Sequence, residues 1–357
     1  MTRPLAPGAW IGILGGGQLG RMLAVAAARL GFRCHVYEPG ADAPAGHVAA
    51  RLTRAAYDDA AALAAFADSV DVITYEFENI PTAALDLLES RRPIRPGRRA
   101  LAISQDRALE KRFLNDIGLA TAPWAAVHDA ASLDAALARI GTPAILKTAR
   151  LGYDGKGQAR IMTPADADVA LAMMQGAPAV LEGFVAFSRE ISVIGARGQG
   201  GEVVAYDPGE NVHRAGILHT TTVPARISPA QRVDAVLLAG RILNALDYIG
   251  VLGVELFVTE TGLLVNEIAP RVHNSGHWTQ QGCAVDQFEQ HIRAVAGWPL
   301  GDAARHADVE MTNLIGDDVA NIAAFARAPA TAIHLYGKAE ARAGRKMGHL
   351  NRILPRG

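Results

Sequence analysis

Short apolar runs alternate with longer alanine-rich stretches over the first part of the chain. Residues 9–14 read as a buried strand, and Gly15-Gly16-Gly17 makes a tight turn into a helix over 18–30. Strands follow at 33–37 and 70–74, with a helical segment at 58–67 between them. Strands alternating with helices predict a parallel sheet covered on both faces. The segment 91–97, RRPIRPG, carries two prolines and marks the exit from this unit. Ser104 then reads as the cap of a helix that holds Asp106, Arg107 and Lys111.

From Thr142 the pattern changes. Strands are predicted at 143–148, 158–162, 179–184, 190–196 and 202–206, mostly without long helices between them. A glycine-rich loop fills 149–157, and a helix over 229–246 precedes a β-hairpin at 251–270. Strands near 309–315 and 332–336 lead into a basic, glycine-containing tail at 337–350. The pattern therefore predicts an α/β unit followed by an α+β block of antiparallel character.

Composition narrows the class. A chain of 357 residues exceeds one typical core, so two or three domains are expected. With 50% hydrophobic and 20% charged residues it reads as an ordinary globular protein. A formal charge of −1 offers no basic field for nucleic acid, and the arginines at 91–92 and 98–99 read as a solvated loop. No apolar run reaches bilayer length, and the N-terminus lacks a signal-peptide layout. Cys34 and Cys283 give no disulfide framework and are expected to pack as small apolar residues. A cytoplasmic location is the default expectation.

The most informative stretch is the hairpin VLGVELFVTETGLLVNEIAP. Its turn lies near Glu260-Thr261-Gly262, and Glu255 and Glu267 are equidistant from Thr261, so simple pairing sets them opposite each other. Facing acids repel, and burial makes the repulsion worse. A hard divalent cation such as Mg²⁺, shared with substrate phosphates, turns the liability into a site. The plain alternative is an exposed pair that tolerates the repulsion, against which stand the apolar flanking residues.

Other motifs are weaker alone. Gly15, Gly17 and Gly20 satisfy G-x-G-x-x-G after a strand, and Glu38 ends the next strand, a pattern shared with nicotinamide-dependent oxidoreductases. The loop LGYDGKGQ can cradle phosphate with its amides, and Lys147 and Lys156 add charge; a mobile hairpin with solvated lysines is the alternative. Glu182-Gly183-Phe184-Val185 suits a hinge that reads an adenine edge, and Glu190 could accept from ribose hydroxyls. The segment PRVHNSGHWTQ packs a cation, two histidines and an amide beside the acidic hairpin. Zinc on His273 and His277 lacks a third nitrogen or sulfur ligand nearby.

Taken together, GGGQLGRM, EFENIP, QDR, LGYDGKGQ, RVHNSGHWTQ and GRKMGHLN resemble the ATP-grasp superfamily and, within it, the N5-carboxyaminoimidazole ribonucleotide synthases of purine biosynthesis. RVHNSGHWTQ and GRKMGHL are the particular ones; the formate-dependent glycinamide ribonucleotide transformylase, the alternative ligase, differs there. The resemblance implies an ATP-grasp fold with an N-terminal Rossmann-like domain at 1–103, an ATP-grasp domain at 104–297 (subdomains 104–183 and 184–297), and a small C-terminal domain at 298–357.

It further implies ATP contacts at Arg107, Lys147, Gly152, Tyr153, Asp154, Gly155, Lys156, Gly157 and Gln158. More come from Glu182, Gly183, Phe184, Val185, Glu190, His213, Asn266 and Glu267, with a pair of Mg²⁺ ions, replaceable by Mn²⁺, on Glu255 and Glu267. The 5-aminoimidazole ribonucleotide would meet Gln18, Leu19, Glu76, Tyr153, Asp154, Arg271, His273 and Asn274. Lys338, Arg345 and Lys346 would clamp its phosphate. Lys147, Asp154, Arg271 and His273 are the catalytic candidates, and either Asp154 or His273 would handle the amine proton. The implied reaction carries the ATP γ-phosphoryl group to bicarbonate, and the ribonucleotide amine captures the carboxyphosphate or its CO₂. A homodimer is implied too. Family members usually extend a few tens of residues beyond GHLN, whereas this chain stops at Gly357, which puts C-terminal closure and part of that dimer contact in question.

Overall fold

The computed structural model describes residues 3–152 and 157–355. Its first sheet is parallel, in the order Arg51–Thr53, Arg33–Tyr37, Trp10–Leu14 and Val72–Tyr75. Ile11, Ile13 and Leu14 are fully buried, as befits a strand covered on both faces. The helix Gln18–Arg29 turns Leu19, Leu23 and Ala27 into that core. Cys34 and Cys283 are both buried and unbridged, as expected.

A second, antiparallel sheet runs Trp124–Val127, Ala179–Gly183, Ala144–Thr148, Gln158–Ile161. It has a core of its own, built from residues such as Leu133, Leu146, Ile161 and Leu181. The third sheet carries the candidate site. Its order is Gly262–Ala269, Gly250–Thr259, Arg189–Arg197, Gly209–Arg214, Ile217–Val223, Asp308–Ile315, Lys346–Leu354, Thr331–Leu335, with Val203–Ala205 paired to the side of Arg189–Arg197. Chain near the C-terminus thus extends the same sheet, with Thr312 opposite Thr220.

Several elements differ from the sequence reading. Gly209–Arg214 and Ile217–Val223 are strands that it does not anticipate. Lys346–Leu354, read as part of a basic tail, is also a strand, with Gly348, His349 and Asn351 buried. Polar side chains that turn inward and hydrogen-bond there erase the alternation on which the reading depends. Arg98–Ser104 is a separate helix, so Ser104 ends one helix instead of starting the next. Asp106 is the true cap of Arg107–Asp116, its Oδ1 accepting from the amides of Ala108 and Leu109.

His291, on the helix Gln287–Ala296, ties the parallel sheet to the hairpin. Its Nδ1 accepts from the Val251 amide at 3.1 Å, which leaves the proton on Nε2 to meet Thr74 Oγ1 at 2.8 Å.

Candidate active site

The hairpin turn is tighter than the sequence suggests. Thr259 pairs with Gly262, and the ladder then runs through Val258–Leu263 and Phe257–Leu264 to Leu256–Val265. Strict continuation would set Glu255 opposite Asn266 and send Glu267 to the other face. Instead the register shifts by one residue, Asn266 is left over as a bulge, and Glu255 lies opposite Glu267. The facing pair therefore depends on an irregularity and not on symmetry about Thr261.

The helix Arg107–Asp116 grips this bulge. Arg107 donates to Glu267 Oε2 at 3.1 Å and to the Gly152 carbonyl at 3.2 Å. Three and four residues on, Glu110 Oε1 accepts from the Ile268 amide at 2.7 Å, and Lys111 Nζ reaches the Asn266 carbonyl at 3.4 Å. Burial, and then the charge of Glu267, push the Glu110 carboxyl up to about 8. Burial raises Glu255 to about 7, with the charge of Glu267 adding to it. Glu267 goes the other way: burial opposes ionisation, but Arg107, Lys147 and Lys111 outweigh it and hold the carboxyl below its usual range.

Lys147 leaves its strand toward Glu182, with Nζ 2.9 Å from Oε2, and Lys111 approaches Oε1 at 3.3 Å. Two ammonium groups thus share one buried carboxylate, which stays ionised although burial opposes it. The adenine-reading hinge needs correction in detail. The Gly183 and Phe184 amides donate to the carbonyls of Pro123 and Pro143, so they are not open to a base edge. Phe184 is exposed and Val185 half-buried. His213 Nδ1 lies 2.8 Å from Glu190 Oε2; burial disfavours its charge, but that contact raises its affinity for a proton. Gly157 closes the glycine loop at φ +69°, accepting from the Thr148 amide, and Gln158 pairs with Lys147. Tyr153, Asp154, Gly155 and Lys156 lie outside the described residues.

The G-x-G-x-x-G turn is filled by the protein's own acids. Glu76 accepts from the amides of Gly17 and Gly20, the latter at 2.8 Å, and Glu38 accepts from Gly16 at 2.6 Å. A carboxylate therefore occupies the helix N-terminus where a dinucleotide pyrophosphate would sit, which overturns the oxidoreductase alternative. Glu38 is spent on backbone amides and does not serve as a ribose acceptor. The Leu19 side chain packs in the core, so a contact of this residue with a ligand would come from its backbone. Gln18, beside it, is half-buried.

At the hairpin's end, Arg271 pairs with Glu78 at 2.5 Å. His273 has Nδ1 2.8 Å from Ser275 Oγ and Nε2 3.3 Å from Glu255. Burial, with Arg271 and Lys346 nearby, keeps its proton affinity well below normal, so it is a neutral imidazole. Asn274 and Asn313 exchange side-chain hydrogen bonds at 2.9 and 2.8 Å. Lys338 donates to the Lys346 carbonyl at 2.7 Å, and burial followed by Arg345 lowers it to about 8. Arg345 itself pairs with Asp42 at 2.7 Å.

Sequence reasoning missed Glu78, Glu110, Asn313 and the site role of Lys111. For the helix the signal was present. Arg107, Glu110 and Lys111 stand at i, i+3 and i+4, one face of a helix, where buried charge is unusual.

Known proteins resemble this chain over nearly its whole length. Sequence profiles match the ribonucleotide synthetase pre-ATP-grasp domain at residues 9–105, the ATP-grasp domain at 112–288 and the phosphoribosylaminoimidazole carboxylase C-terminal domain at 310–356. The N5-carboxyaminoimidazole ribonucleotide synthase of Brucella melitensis is 56% identical over 355 residues, 99% of this chain and 98% of that one. The Staphylococcus aureus N5-carboxyaminoimidazole synthetase complexed with ADP superposes with a TM-score of 0.95 at 37% identity, covering 99% of this chain and 95% of the other. The Aspergillus clavatus synthase in complex with ADP and 5-aminoimidazole ribonucleotide gives 0.92 at 32% identity, covering 98% and 94%.

Proposed function

This chain belongs to the N5-carboxyaminoimidazole ribonucleotide synthases of the ATP-grasp superfamily, and we propose that Glu255 and Glu267 hold the metal its ATP chemistry requires. It is an ATP-dependent carbon–nitrogen ligase of purine biosynthesis, acting on small-molecule substrates. ATP, bicarbonate and 5-aminoimidazole ribonucleotide give ADP, phosphate and N5-carboxyaminoimidazole ribonucleotide. The γ-phosphoryl group passes to bicarbonate, and the carboxyphosphate yields its carboxyl group to the exocyclic amine.

The observation that carries the metal reading is the opposed pair of acids at the bulge, one of them pushed up to about 7 by burial and by the charge of the other. Their oxygens are the hard donors that Mg²⁺ takes, so the donor set fits. When bound, Mg²⁺ neutralises charge on the transferring phosphoryl group. Arg107, already on Glu267, keeps that acid ionised, and Lys147 holds positive charge beside it. Arg271, fixed by Glu78, and Asn274, fixed by Asn313, would orient the ribonucleotide, while Lys338 and Lys346 attract its phosphate. His273, held neutral by burial and by the cations around it, and Asp154 are the two candidates for the amine proton. A cytoplasmic homodimer completes the proposal, supported by family resemblance; among the described residues no helix is long and apolar enough to cross a membrane.

The test is phosphate release with ATP, Mg²⁺, bicarbonate and 5-aminoimidazole ribonucleotide, each omitted in turn. Full turnover is expected only with all four. Undiminished turnover without added divalent metal, in the presence of a chelator, would remove the metal from the proposal.

A further inference from the structure

We propose that Glu110 is a positioning residue: by accepting from the Ile268 amide it holds the bulge at Asn266, and so decides that Glu267 faces Glu255. The inference rests on the reading of that pair as the metal site. A bulge breaks the ladder and leaves backbone groups without strand partners, so it persists only where something else satisfies them. The side chain that meets this need is Glu110 Oε1, 2.7 Å from the Ile268 nitrogen, with Lys111 Nζ approaching the Asn266 carbonyl from the next position. Both side chains are almost wholly buried, at 3% and 1% exposure. Apolar side chains would fill that helix face at lower free energy if packing were their only task. Arg107, on the same face, sits on Glu267 itself. One helix thus fixes both the register that delivers the acid and the charge that keeps it ionised.

The experiment compares Glu110→Leu, which removes the acceptor at similar volume, with Glu110→Gln, which keeps a carbonyl oxygen for the amide. Mn²⁺ binding in the presence of ADP is followed by the paramagnetic resonance of the free ion, and folding by circular dichroism and melting temperature. Wild type and E110Q should bind alike, and folded E110L about tenfold or more weakly, the scale on which outer-shell partners act on metal affinity. Should E110L fail to fold, E110D, one methylene too short, takes its place with the same expectation. Wild-type Mn²⁺ affinity in the folded variant that lacks the acceptor, or equal loss in E110Q, overturns the inference alone. A wild-type chain that binds no Mn²⁺, or an E267Q chain that binds as wild type, overturns the metal reading and the inference with it.

Discussion

Glu255 is caught between burial and a second acid, and the two together push its carboxyl up to about 7. A protonated acid is a poor ligand, so a proton and a divalent cation compete for it. The Mg²⁺ concentration for half-maximal activity should therefore rise as pH falls below about 7, by about tenfold per unit once proton competition dominates. Metal titrations of activity at three pH values measure this, and a flat dependence would contradict it. Glu267 is the more acidic partner because Arg107 stands on it. Replacing it by Gln should abolish turnover while leaving the melting temperature within a few degrees, since the change is isosteric. A fully active E267Q enzyme would take the metal role from that residue.

Elements carry the next level of dependence. The helix Arg107–Asp116 begins at a capping carboxylate that satisfies two amides. Asp106→Ala should cost about 1 kcal/mol of stability, by the usual worth of such a cap, and Asp106→Asn much less. The same change should raise the KM for ATP, because the helix start carries Arg107; thermal melts and steady-state kinetics on both variants measure the two effects. An alanine variant with unaltered melting point and KM would show that the cap is not what aims the arginine. Much of this level is readable in sequence. The glycine turn, the hairpin and the helix after QDR all follow from local spacing. The bulge does not: nothing local distinguishes Asn266 as the extra residue, since its partners come from a helix more than 150 positions away (|i−j| = 155 and 158). The strand Lys346–Leu354 is illegible for a related reason, since its inward residues are polar and only their partners make burial tolerable.

The whole molecule responds to acid through its buried histidines. His291 joins the parallel sheet to the hairpin, and burial lowers its proton affinity to about 3 from an ordinary 6.5. His273, His277 and His349 shift in the same direction, each chiefly through burial. Below pH 6.5 the unfolded chain takes up protons that the folded chain refuses, so stability falls, by about 1.4 kcal/mol per unit for each such histidine. Glu110 and Glu255 oppose this, since the folded state keeps their protons up to about 8 and 7 and gains stability as pH falls toward 4.5. His35, His219 and His334 are lowered as well, and Glu76 and His213 are raised, so seven groups stand against four and a net loss remains. The melting temperature of the metal-free enzyme should drop between pH 7 and 5.5; a melt that holds steady or rises would refute the balance.

By itself the sequence determined the parallel first sheet, the acidic hairpin, the glycine loop and the residues that assign the family, because each is written in local spacing or in a run of particular side chains. Tertiary structure alone decided that Glu76 and Glu38 fill the glycine turn, that Glu110 and Lys111 meet the bulge, and that Asn313 anchors Asn274. Those are contacts between distant segments, and a buried polar group declares its purpose only once its partner is in place.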